Sequence, residues 1–405
     1  MSLPKVTLEV MTGPHQGETR QFDGHDTLLV GRAGNAQLRL PEDMHFSRNH
    51  FRVEVKPPEC HLVDLESSNG TYVNGRRVSD IWLKDGDTIS GGQTEIRVRV
   101  EGLQDTAATQ MFALSSDPLA ETMLGPSPDA PQTILNYDIV REIGRGSMGV
   151  VYQATEQTSG KDVALKLIQP GMQLSEMTIQ TFLREGKVLK QLKHKRIVRF
   201  VETGVVDGRL FLAMEYVDAV DLEKTLGKLK LNDRIRVACG LAQQVLDGLG
   251  YAHQLELVHR DVKPKNILVA KRTGGLSAKI ADFGLAKNFM DAGMSQISGE
   301  NEIKGTLSFM PPEQVVSCRY AKPQADIFAV GATLYTLISG KMIYDLDDHS
   351  TPLAAVLNSG PIPISRRVKV PPELEAVIGK SLAHEADDRY QTAEEMRTML
   401  EPFCV

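Results

Sequence analysis

The sequence predicts a multidomain chain: an all-β sandwich followed by an α+β domain of two lobes. Three observations carry this. Apolar residues alternate with polar ones over the first hundred residues, and turn signals interrupt them often. A stretch then follows that has no Lys or Arg and is rich in Pro. After it, glycine-rich strand patterning gives way to helical periodicity. The chain has 405 residues, 41% hydrophobic and 24% charged, the profile of a globular protein with room for about two or three domains.

The sandwich is assigned to residues 1–100. Its runs include Val6–Val10, His50–Val55 and Ile96–Val100. Its turns include Gly13-Pro14, Gly34-Asn35, Asn69-Gly70, Asn74-Gly75 and Asp85-Gly86. Residues 101–136 carry Glu101, Asp105, Asp117, Glu121 and Asp129 among Pro118, Pro126, Pro128 and Pro131, and read as an extended or disordered tether. The second domain takes residues 137–405, with strands in a lobe at 137–217 and helices in a lobe at 218–405. Leu231–Leu255 and Glu373–Leu400 are the clearest helical stretches.

Composition excludes several classes. The net charge of −6 does not favour nucleic-acid binding. Cys60, Cys239, Cys318 and Cys404 show neither CxxC nor Cys/His metal spacing, so reduced thiols in a cytoplasmic protein are expected. The N-terminus lacks the apolar core of a leader. Ile327–Ile338, the longest apolar run, is too short for a bilayer, so a soluble chain without membrane anchor is expected.

The chemistry lies in an ordered set of motifs. Gly144, Gly146 and Gly149 form a G-x-G-x-x-G, with Arg145, Ser147 and Met148 between them. A dinucleotide fold uses the same spacing at a strand-to-helix turn. Here Val150-Val151-Tyr152 continues as a strand, which points instead to a hairpin over nucleotide phosphates. Lys166 ends Val163-Ala164-Leu165-Lys166 inside an apolar strand, where a fixed cation suits the α- and β-phosphates of ATP. In His259-Arg260-Asp261-Val262-Lys263-Pro264-Lys265-Asn266, Asp261 suits the acceptor of a hydroxyl proton and Lys263 a γ-phosphate partner. Asn266 suits an oxygen ligand to Mg²⁺; His259 reads as structural. Asp282-Phe283-Gly284 supplies a second Mg²⁺ ligand, Asp282, and a hinge. Each motif alone is common; their joint order is specific.

Residues 137–400 resemble the eukaryotic-type serine/threonine protein kinases, especially their bacterial members. The resemblance implies a bilobal fold with ATP in the cleft and Mg²⁺, or Mn²⁺ in its place. It implies that Glu185, in preference to Glu176, pairs with Lys166. Met214 would stand as gatekeeper before a hinge at Glu215-Tyr216-Val217, with Val151 and Ala164 also against the nucleotide. Thr306 would bond Asp261 and Lys263, Glu313 would pair with Arg389, and Asp326 would anchor the catalytic loop. Met310-Pro311-Pro312-Glu313 departs from the family's A-P-E at Pro311. Arg260 implies activation by phosphorylation between Asp282 and Glu313, where Ser295, Ser298 and Thr306 offer hydroxyls. With Thr306 committed to positioning, Ser295 or Ser298 is the expected switch.

Over residues 5–100, Gly31-Arg32, Ser47-Arg48-Asn49-His50 and Ser67-Ser68-Asn69-Gly70, with Asn74-Gly75 beyond, resemble a forkhead-associated (FHA) domain. That resemblance implies binding of phosphothreonine proteins. Arg32 and Ser47 would take the phosphate, with charge from Arg48. Asn69 would meet the peptide backbone, assisted by Ser68 or Asn74; Gly31 and His50 would be structural. Thr106, Thr109, Thr122 and Thr133 in the tether are candidate ligands once phosphorylated, against the plainer reading of an inert tether. The expected activity is ATP-dependent phosphorylation of protein Ser/Thr hydroxyls, with trans-autophosphorylation as a route to a homodimer. A catalytically inactive phosphoprotein-binding scaffold is the alternative.

Overall fold

A computed structural model describes residues 4–34, 36–101, 133–146, 149–168, 176–206, 209–283, 305–316, 321–345 and 352–404. Most of the tether and of the segment after Phe283 lies outside these residues.

The N-terminal region is two facing sheets. One runs in the order β2 (Thr19–Phe22), β1 (Lys5–Thr12), β11 (Thr94–Glu101), β10 (Thr88–Gly91), β7 (Thr71–Val73), β8 (Arg76–Val78). The other runs β4 (Leu38–Arg39), β3 (Asp26–Gly31), β5 (Phe51–Lys56), β6 (Glu59–Asp64), β9 (Asp80–Leu83). Period-2 patterning puts Val6, Leu8 and Val10 of β1 and Phe51, Val53 and Val55 of β5 into one core. Gly31 is dictated by a close approach: a Cβ there would stand 2.2 Å from the Arg48 carbonyl oxygen.

The first lobe of the second domain is a six-stranded sheet, β12 (Thr133–Ile134), β13 (Tyr137–Gly146), β14 (Gly149–Glu156), β15 (Asp162–Ile168), β17 (Arg209–Glu215), β16 (Phe200–Val206), with helix α1 (Glu176–Leu189) beside it. The second lobe holds α2 (Leu222–Gly227), α3 (Leu231–Gln254), the hairpin β18 (Ile267–Arg272) and β19 (Gly275–Ile280), then α4 (Pro312–Val316), α5 (Pro323–Ser339), α6 (Pro352–Asn358), α7 (Pro372–Ser381) and α8 (Ala393–Leu400). The apolar run at 327–338 forms the buried body of α5. The helix expected over Glu373–Leu400 is instead two, α7 and α8. Arg389 between them is extended (φ −83°, ψ 179°), and its buried guanidinium pairs with Glu313.

The two regions meet. Along β3, Leu28 and Val30 point into the sandwich core, so Leu29 points out of it; yet Leu29 is 0% exposed. Leu29, Ala36 and Leu65 belong to the apolar cluster of the helical lobe. Polar contacts frame the contact. Asn49 Nδ2 donates to the Leu357 carbonyl (3.1 Å) and to Asn358 Oδ1 (3.2 Å). Asn358 Nδ2 donates back to the Leu65 carbonyl (3.1 Å), and Arg52 Nη1 donates to the Val315 carbonyl (3.1 Å). Burying a leucine fully is worth about 1.5–3 kcal/mol, so Leu29 and Leu65 make the contact more than a polar touch.

Candidate functional site

The cleft between the lobes is built from the strands upward. The hairpin of β13 and β14 closes with Gly146 opposite Gly149; Ser147 and Met148 at its tip lie outside the described residues. Gly149 has φ +146°, and a Cβ there would stand 1.9 Å from the Leu167 carbonyl oxygen, so the hairpin can lie close on β15 only with glycine. Gly144 pairs with Val151, and Arg145 is held by Glu142, 2.6 Å from Nη2. Register puts Val151 opposite Lys166 and Ala164 opposite Met214. Ala164, Met214, Val151 and Val217 then join one apolar cluster, which also takes in Leu268 and Ala281. Leu268 and Ala281 carry no motif of their own, and their only local signal is position, Leu268 two residues after Asn266 and Ala281 immediately before Asp282. Glu215 is tied to Lys279 (2.8 Å), while its backbone N–H donates to the Arg199 carbonyl.

Below this apolar wall the charged groups gather. Lys166 Nζ donates to Asp282 Oδ2 at 2.9 Å. Glu185 lies on α1, but its side chain is outside the described residues, as is that of Glu176. Lys263 Nζ stands 3.0 Å from Asp261 Oδ2, and Asn266 Nδ2 donates to that oxygen (2.9 Å) and to the Asp261 carbonyl (2.7 Å). The two groups are joined through backbone: the Ala281 N–H donates to the Asn266 carbonyl at 2.8 Å. Thr306 lies on a helical turn at 305–307, and its hydroxyl reaches neither Asp261 nor Lys263. Ser295, Ser298 and Gly284 lie outside the described residues.

A buried frame holds the loop. Asp326, 0% exposed on α5, accepts from the backbone N–H groups of His259 and Arg260, both at 2.8 Å, and contacts His253 Nε2 at 2.8 Å. Burial alone would raise its carboxyl pKa; the His253 hydrogen bond, the nearby imidazoles and the backbone donor outweigh that and hold it below the ordinary value. His259 bridges two backbone groups, with Nδ1 toward the Asp261 N–H (3.2 Å) and Nε2 toward the Ala281 carbonyl (2.9 Å). In that geometry Nε2 can donate to the carbonyl and Nδ1 can accept from the N–H. Arg389 makes a two-pronged ion pair with Glu313, at 2.7 and 2.8 Å.

A second site lies at the rim of the sandwich. Arg32 Nε donates to the Phe46 carbonyl at 2.6 Å. Ser47 Oγ accepts from the Ser68 N–H at 2.9 Å, and Asn69 Nδ2 donates to the His45 carbonyl at 2.7 Å. Arg48 is exposed beside them. The structure thus brings Arg32, Ser47, Ser68 and Asn69 onto neighbouring loops. Asn74 is not among them: it is spent on Asp87 (2.7 Å) and on the Thr88 N–H (3.0 Å), closing the β7–β8 turn.

His50 props these loops. Its Nδ1 accepts from the Ser47 N–H at 3.0 Å and its Nε2 faces the Gly70 carbonyl at 3.3 Å. Burial lowers its pKa from the ordinary value near 6.5, so the folded ring is neutral. The unfolded chain takes up that proton first. The stabilisation is therefore complete above about pH 6.5 and is lost as the pH falls below it. Calorimetry of the full chain between neutral pH and about pH 5.5 should show the sandwich transition falling, with a smaller pH dependence in His50→Gln. Equal slopes would remove His50 as the source.

Comparison with known proteins agrees with this architecture. Residues 137–400 match the protein kinase domain and residues 28–92 the FHA domain. The chain belongs to the protein kinase family, of the two-lobed class, and carries an FHA domain ahead of the kinase domain. It is similar to a probable serine/threonine-protein kinase PknB of Lactococcus lactis, 31% identical over 65% of this chain and 41% of that protein. It is also similar to PknB of Mycolicibacterium smegmatis, 32% identical over 65% of this chain and 42% of that protein. The chain thus spans less than half the length of these relatives. Among solved structures, the PknI kinase domain of Mycobacterium tuberculosis is 26% identical, with a TM-score of 0.51, over 67% of this chain and 97% of that one.

Proposed function

We propose that this chain is a serine/threonine protein kinase that transfers the γ-phosphoryl group of ATP to protein hydroxyls, and that its FHA domain recruits phosphothreonine proteins or its own phosphorylated tether. The observation that carries the reading is the direct hydrogen bonding of Asp261 with Lys263 and Asn266, one backbone bond away from the Lys166–Asp282 pair.

Asp261 accepts the proton of the incoming hydroxyl. Lys263, already on that carboxylate, offsets negative charge arriving beside it. Lys166 faces the nucleotide phosphates from a rigid strand. The donor set fits Mg²⁺. Asn266 gives its N–H donors to Asp261, and its amide oxygen has no protein donor among the described residues; the same is true of Asp282 Oδ1. Bound there with ATP, the ion would supply charge neutralisation across the phosphates. Mn²⁺ has the same oxygen-ligand chemistry. Among the described residues no helix is long and apolar enough to cross a membrane; a cytoplasmic site of action is part of this proposal. Phosphorylation in trans would bring two copies together.

One experiment tests both halves. The full chain is incubated with ATP and Mg²⁺, its phosphosites are mapped by mass spectrometry, and Lys166→Met runs beside it. Phosphate is expected within 282–313 and on tether threonines, and none in Lys166→Met. No incorporation by the wild type would leave the scaffold reading. Phosphothreonine peptides around Thr106, Thr109, Thr122 and Thr133 are then titrated against wild type and Arg32→Ala. Loss of one charge-assisted phosphate contact, about 1.5–3 kcal/mol, should weaken binding roughly 10- to 150-fold.

A further inference from the structure

From the seat of the FHA domain on the helical lobe we infer a substrate class: polypeptides that already carry a phosphothreonine at a distance from the hydroxyl to be phosphorylated. The docked FHA domain is then a second, fixed reading site of the kinase. The inference rests on the phosphothreonine reading given above.

The dock uses the same loop as the phosphothreonine site. Ser47 and Arg48 face the rim, while Asn49, next in the chain, is 4% exposed and bonded to Leu357 and Asn358 of α6. Arg52, one step along β5, bonds the Val315 carbonyl on α4. Gln314, beside Val315, donates to the Arg260 carbonyl at 2.6 Å, and Arg260 immediately precedes Asp261. Two side-chain hydrogen bonds therefore lead from sandwich strand β5 to the residue before the catalytic Asp. The backbone from Ser47 to Arg52 spans at most about 18 Å. The phosphate site is thus held within a few tens of ångströms of the acceptor site, and a flexible tether alone fixes no such distance. The apolar part of the dock, Leu29 and Leu65, fills no space in the sandwich's own core, as expected of a face made for this contact.

A substrate bound at both sites gains effective concentration at the second, provided its chain reaches. A spacer of about four residues reaches at most ~14 Å and one of about sixteen ~55 Å, so only the longer should profit.

The test uses the full chain and unstructured peptides with one acceptor Ser, with or without a phosphothreonine, at both spacings. Wild type should show a KM at least tenfold lower for the long phosphorylated peptide than for its unphosphorylated twin, with little change in kcat and no gain at the short spacing. Arg32→Ala should abolish the gain. Leu29→Glu and the milder Asn358→Ala lie outside both sites; they should cut the gain at least threefold while direct phosphopeptide binding, read by fluorescence anisotropy, stays within twofold. If no phosphopeptide binds, the phosphothreonine reading itself is wrong. If it binds and KM ignores it, or if both dock variants keep the whole gain, the second-site inference is overturned. It is also overturned if the dock variants speed phosphorylation of the plain peptide, since the sandwich would then be masking the cleft.

Discussion

Asp261→Asn should lower kcat for phosphoryl transfer by about 10²–10⁴-fold, the usual range for a lost general base. Nucleotide affinity should be nearly unchanged. The substitution keeps the shape of the side chain and its place between Lys263 and Asn266, and removes only the basic oxygen. Lys166, Ala164 and Met214, the residues proposed for the nucleotide side, do not touch it among the described residues. Single-turnover transfer to a peptide, with binding of a fluorescent nucleotide measured in parallel, separates the two effects. Retained single-turnover rates would falsify the assignment of Asp261 as base. Parallel loss of nucleotide affinity would place Asp261 in binding instead.

Arg389→Ala should destabilise the helical lobe by about 3–5 kcal/mol, the cost of deleting a buried guanidinium and leaving several of its acceptors unpaired. The side chain is 0% exposed. It donates to Glu313 and to the carbonyls of Ala383, His384 and Gln324, so its loss strands acceptors from three segments at once. The melting temperature of that lobe should fall by roughly 6–20 °C. Amide exchange should accelerate in α5 and α7 before it does in the sandwich. A drop of a degree or two, spread evenly over both domains, would show that the pair is not the lobe's brace.

The cleft was legible in the sequence because phosphate chemistry demands particular side chains at particular places. Lys166, Asp261, Asn266 and Asp282 could be named from motif order, and local hydrogen bonds then bring them together. Asp326 and Arg389 were legible only through resemblance, since a buried charge on an apolar helix has no local signature of its partner. Asn74, the alternative to Ser68 beside Asn69, bonds Asp87 and the Thr88 N–H, and Thr306 makes no hydrogen bond to Asp261 or Lys263 among the described residues. The break between α7 and α8 carries no Gly or Pro in 382–392 to mark it. The interdomain contact was hidden for another reason. Leu29 looks like any strand leucine, and only the alternation of β3 in three dimensions shows that it faces away from its own core.

That outward leucine bears on how such proteins can be assembled from parts. A sandwich whose surface is completed by its neighbour is not an interchangeable cassette. Exchanging it for a phosphothreonine reader with other residues at the places of Leu29, Asn49 and Arg52 would leave the apolar face of the helical lobe, Asn358 and the Val315 carbonyl without these partners. The recombinant chain would keep both chemistries and lose the distance between them. Inheritance of the pair, on this structure, is inheritance of a joint.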